Sequence, residues 1–70
     1  KYSLESTLGE LVAEELGRNM FEEMMPGMLE DPLIQFALSM TISDLLMQDA
    51  QAKPMYLAVI DALNAANSKL

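Results

Sequence analysis

Apolar positions along this chain recur with the period of a helix, and no stretch alternates with period two, so the pattern predicts helices and no strand. The first run opens with "TLGELV" at Thr7. A Thr followed three residues on by Glu10 forms a capping box, in which the hydroxyl takes one orphan N–H and the carboxylate takes another. Leu8, Leu11 and Val12 then follow at helical spacing, and the run predicts a helix over about Leu8–Glu14. Leu16, Met20, Phe21, Met24 and Met25 continue the period on one half of a second helix. Glu15, Arg18, Asn19, Glu22 and Glu23 take its other half, and Gly17 marks a bend near the junction. Pro26 stops this helix, because the residue before a proline is pushed out of the α region, and Pro26–Gly27 makes a turn.

Asp31–Pro32 restarts the chain with a capping acid and a proline at the first helical position. Leu33, Phe36, Ala37 and Met40 follow at i, i+3, i+4 and i+7, which predicts a third helix with Gln35 and Ser39 on its polar side. "TISDLL" at Thr41 opens a fourth, with Asp44 as the shorter acid and Ile42, Leu45 and Leu46 as the apolar stripe. A polar connection, "QDAQAK", leads to Pro54 and a last helix running to about Asn67. Its expected wet side carries Asp61, Asn64 and Ser68, while Met55, Val59, Ala62, Leu63 and Ala66 face the other way.

The two Thr–acid openings follow one pattern at an offset of 34 residues, from Thr7 to Thr41. Two readings stand side by side. The chain holds a pseudo-repeat of helical hairpins closed by the Pro54 helix, or any short amphipathic helix is simply written this way. The offset equals the tetratricopeptide period, but only two copies exist and the large aromatic positions of that repeat are missing. The predicted fold is all-α: a small orthogonal bundle of four to five short helices. The core expected from the stripes uses Leu8, Leu11, Val12, Leu16, Met20, Phe21 and Met24 in the first half. It continues with Leu33, Phe36, Ala37, Met40, Ile42, Leu45 and Leu46, and ends with Val59, Ile60 and Leu63.

Length and composition narrow the picture. Seventy residues make one helical domain, and the Lys at position 1 reads as the start of a piece of a longer chain. With no Cys and no His, neither a disulfide nor a usual zinc site is expected. The lack of Cys suits a reducing cytoplasm, although many secreted bacterial proteins also lack it. No run approaches the length of a membrane span and no signal-peptide pattern stands at the start. The net charge of −7 repels phosphate backbones and anionic lipid, so neither nucleic acid nor a membrane surface is an expected partner.

Candidate chemistry is sparse. Glu14/Glu15, Glu22/Glu23 and Glu30/Asp31 are adjacent pairs on exposed faces or helix ends, with no apolar pocket to raise one of them for acid catalysis. No G-x-S-x-G surrounds any Ser, and there is no His to activate one. Ser43 invites comparison with an acyl-carrier serine, but Ile42-Ser43-Asp44 lacks the Asp-Ser-Leu order of that site. No catalytic residue and no cofactor is expected. Seven Met remain, and flexible thioethers serve irregular cores or adaptable grooves. The expected interaction surface is Met25, Met28 and Met47, together with Leu57, an apolar residue on the polar side of the last helix.

The order of caps and turns resembles a known tail. Tyr2, Leu4, Ser6, Thr7, Gly9, Glu10 and Leu11 form an opening, Pro26 and Gly27 a turn, and Met40, Thr41 and Ile42 a last element. Together, over about Tyr2–Leu46, they resemble the small helical domain at the C-terminus of some bacterial family 3 glycoside hydrolases, the β-glucosidase type. In that family the nucleophile and the acid/base belong to the large catalytic domains, and none falls on a matching position. The resemblance implies a non-catalytic accessory domain of a β-glycosidase, which packs on the catalytic domains of its parent chain or self-associates. The alternative is a free-standing helical interaction module that presents a Met-rich surface.

Overall fold

Capping and stripe spacing place the helices close to where the pattern puts them. A computed structural model describes residues 1–68. It contains α1 (Leu8–Ala13), α2 (Glu15–Met24), α3 (Ile34–Ala37), α4 (Ile42–Gln48) and α5 (Lys53–Ser68). Short 3-10 turns at Met28–Glu30 and Ala50–Ala52 link them, the second in the stretch expected to be a plain polar connection. This is an all-α bundle, with no strand among the described residues beyond one isolated antiparallel bridge between Thr7 and Thr41.

That bridge explains the repeated sentence. A helix start leaves its first N–H groups without partners. Here the two helix starts satisfy each other. Leu8 N–H donates to Met40 O (3.0 Å) and Ile42 N–H donates to Ser6 O (2.9 Å). One residue further, Gly9 N–H donates to Leu38 O (2.9 Å) and Ser43 N–H donates to Leu4 O (2.8 Å). Each bond maps onto its counterpart when both of its residues are moved by 34. The third N–H of each helix goes to its own cap, Glu10 N–H to Thr7 Oγ1 (3.2 Å) and Asp44 N–H to Thr41 Oγ1 (3.1 Å). Glu10 also reaches back to accept from Thr7 N–H (3.1 Å), closing the box. At Thr41 only the forward half is made; Asp lacks the methylene that lets Glu reach back. The equivalence is confined to the helix starts, because α5 begins at Lys53 and does not copy the position of α2.

The core forms where α5 lies against α1 and α2. Leu8, Leu11, Phe21, Ile42, Tyr56, Val59, Ile60 and Leu63 are buried, and the Phe21 and Tyr56 rings meet in a tilted pair with centroids 5.9 Å apart. Each such side chain contributes about 1.5–3 kcal/mol by leaving water. Val12, Met20, Ala37, Leu45 and Leu46 are half-buried against this cluster, and Met40 is half-buried too. The radius of gyration, 11.3 Å, matches the roughly 11 Å expected of a folded chain this long.

Four expected core residues are not in the core: Leu16, Met24, Leu33 and Phe36 are exposed. The third helix is the main reason. It has four residues and ends at Ala37 instead of reaching Met40, and its inward stripe is Ile34, Ala37 and Leu38. That stripe has the same i, i+3, i+4 spacing as the expected one, turned by about one residue. Gly17 is also not a bend. The chain breaks at Glu14, whose backbone is extended (φ −82°, ψ 134°). Gly17 sits where α2 crosses the end of α1, so close that a Cβ there would stand 2.1 Å from Leu11 O. Asn64 leaves the expected wet side as well. Its amide accepts from Tyr2 N–H (2.8 Å) and donates to Tyr2 O (2.9 Å), tying the first residues to α5. Ala66, expected on the inner side, is exposed.

Candidate interaction surface

The segment from the end of α2 to α3 is shaped by its punctuation residues. Met25 N–H closes α2 on Phe21 O (2.8 Å), and Gly27 then takes a left-handed conformation (φ 87°) that glycine alone adopts freely. A 3-10 turn follows. The Asp31 carboxylate accepts from Leu33 N–H (2.9 Å) and Asp31 O accepts from Ile34 N–H (2.9 Å), a side-chain-mimicked turn that starts α3. A four-residue helix presents one narrow stripe inward. With Ile34, Ala37 and Leu38 on that stripe, Leu33 and Phe36 are left outward, 69% and 75% exposed. They are three residues apart and therefore share a face. Met24 and Met25, exposed at the end of α2, lie at the other end of the same stretch.

The chain on either side of this face is acidic. Between Arg18 and Lys53 the chain carries Glu22, Glu23, Glu30, Asp31, Asp44 and Asp49 and no Lys or Arg. Glu22 and Glu30 line one shallow depression of about 240 Å³ together with Pro26, Gly27 and Leu29. A second depression, about 470 Å³, is lined by Lys1 and by Asn64, Ala65, Asn67 and Ser68 of the last turns of α5. Among the described residues no group of three acids is placed to hold a metal ion, and no helix is long and apolar enough to cross a membrane.

The residues expected to form an interaction surface are dispersed. Met25 is exposed, and Met28 is half-buried against the core one turn later. Met47 is 86% exposed but lies on α4, whose main neighbour is the second 3-10 turn. Leu57 is half-buried on α5. Met25 follows the end of α2, and Met47 and Leu57 belong to α4 and α5. Leu33 and Phe36 were missed because their spacing satisfies a core stripe. The competing stripe one residue on was the available signal.

Ser43, compared above with a carrier serine, is engaged in the helix-start pairing, and its Oγ donates to Glu5 (3.1 Å). Both tyrosines are held in their neutral form. Burial pushes the Tyr56 phenol above its ordinary range, and the Asp49 charge adds to this. Tyr2 is raised first by burial, then by its hydrogen bond to the Glu14 carboxylate (3.0 Å) and the charges of Glu14 and Glu10. A phenol held neutral beside a carboxylate serves as a strut that ties the first residues to the α1–α2 corner. Comparison with known proteins finds no matching family model, no matching curated protein and no matching solved structure.

Proposed function

We propose that this chain is a non-catalytic association domain that docks through the Leu33–Phe36 face of α3. The observation that carries the reading is the outward placement of Leu33, the residue before α3, and Phe36 within it, in a domain whose described residues already bury eight apolar side chains without them. Large apolar groups on one face suit contact with a partner. The resemblance to the tails of family 3 glycoside hydrolases supports a carbohydrate-active parent, a β-glycosidase. In such a parent the domain contributes packing or association, and the chemistry belongs to the catalytic domains.

Two measurements test this. Replacing Leu33 and Phe36 together by Ser leaves the unfolding free energy within about 0.5 kcal/mol per site of the wild type, because neither side chain holds the fold. A collapse of stability would make them structural and remove the docking face. The chain alone hydrolyses aryl β-glucosides no faster than buffer. Turnover that a single Glu substitution abolishes would overturn the non-catalytic reading.

A further inference from the structure

We propose that the partner of this face is a cationic amphipathic helix, one that carries Lys or Arg beside an apolar stripe. The inference rests on the docking reading above and adds the partner's chemistry. The argument is charge complementarity. The Asp31 carboxylate sits beside Leu33, held there by the 2.9 Å bond from the Leu33 backbone N–H. Glu22 and Glu30 line one shallow depression at the neighbouring turn. Arg18 stands one helical turn before Glu22, and no further Lys or Arg follows until Lys53. An incoming helix places apolar residues on Leu33 and Phe36, with Met24 and Met25 adapting to its shape, and its basic residues face the acids.

A second copy of this chain is the poorer occupant, since a dimer through this face would bring two uncompensated acidic surfaces together. An anionic membrane is repelled for the same reason. The patch is small against the 1,200–2,000 Å² that stable complexes typically bury. The contact is therefore weak on its own and sensitive to salt.

The test titrates the full chain with three peptides of about 18 residues, some five helical turns. One is an amphipathic Leu/Lys helix, one the same pattern with Glu for Lys, and one keeps Lys but has Ser for Leu. The Leu/Lys peptide binds, and the paired change Leu33→Ser with Phe36→Ser weakens it about tenfold or more. Glu22→Gln with Glu30→Gln weakens it severalfold, as does added salt, and the other two peptides bind far less. If the Leu/Glu peptide binds equally and both lose affinity with the Ser variants, the docking face stands and the cationic partner falls. If binding ignores the Ser variants, or the Lys/Ser peptide binds as well as the Leu/Lys one, the docking face itself falls. A dimer in sedimentation that the Ser variants dissolve would make a second copy the occupant and overturn the proposal.

Discussion

Gly17→Ala separates two opposed effects in one substitution. In an exposed helix interior, Ala is favoured over Gly by about 1 kcal/mol. At Gly17 the new methyl would lie 2.1 Å from Leu11 O, 3.1 Å from Leu11 C and 3.3 Å from Leu63 Cδ1. The nearest atom is a backbone carbonyl, so no side chain can turn aside. Reaching even 3.0 Å requires α2 and α1 to part by about 0.9 Å (3.0 − 2.1) at their crossing. That movement loosens Leu11 and Leu63, both fully buried, in a core that tolerates added methylenes at a cost of about 1–3 kcal/mol. The carbonyl cannot repack, so the cost falls at or above the top of that range and the net change is a loss of about 2 kcal/mol. In a domain this small, that lowers the melting temperature by about 8–16 °C.

Gly9→Ala is the matched control. Its methyl would stand 2.9 Å from Leu38 O, only 0.1 Å inside the same limit (3.0 − 2.9), and the propensity gain roughly cancels the contact. Thermal melts followed by far-UV circular dichroism distinguish the two. A Gly17→Ala melt at or above wild type, or equal to Gly9→Ala, would refute the close crossing of α1 and α2.

Three further substitutions probe the helix starts and the buried phenol. Thr7→Ala and Thr41→Ala each lose a cap worth about 1 kcal/mol, with Thr7 the costlier because the bond its hydroxyl donates to Glu10 Oε1 (3.2 Å) goes too; denaturant midpoints read the order, and equal losses would contradict that extra bond at Thr7. Both phenols are raised, so their contribution to stability is fully present below the unfolded value of about 10 and is lost as pH climbs through the folded-state value; Tyr56→Phe flattens the alkaline fall in denaturation midpoint, and an unchanged fall would contradict the burial of Tyr56.

Helix starts were legible because their signals are chemical. Thr7 with Glu10 names both bonds of its box, and Thr41 names the Asp44 N–H it takes; Asp31–Pro32 misplaces its start, since α3 begins at Ile34 with Leu33 as an N-cap that makes no side-chain bond. The phase of a one-turn helix was not legible. Ile34/Ala37/Leu38 and Leu33/Phe36/Ala37 are equally good stripes, and the choice is made by tertiary contacts, including Leu38 O accepting from Gly9 N–H. The same limit hid the outward face, since Leu33 and Phe36, assigned inward, are exposed. Gly17 was misread for a related reason. A glycine in a helical pattern marks a bend or a close approach, and only the placement of α1 against α2 tells which. The pairing of Thr7 with Thr41 spans the chain. Two copies of one phrase announce it only when the two helix starts are known to be neighbours.

The central claim is that the Leu33–Phe36 face is where this domain meets its partner. Backbone amide chemical shifts, followed by heteronuclear NMR while the Leu/Lys peptide is added, test it residue by residue. The largest changes fall between Met24 and Ala37, with α5 nearly silent. Changes centred on α5, or spread evenly over the acidic surface, would contradict it.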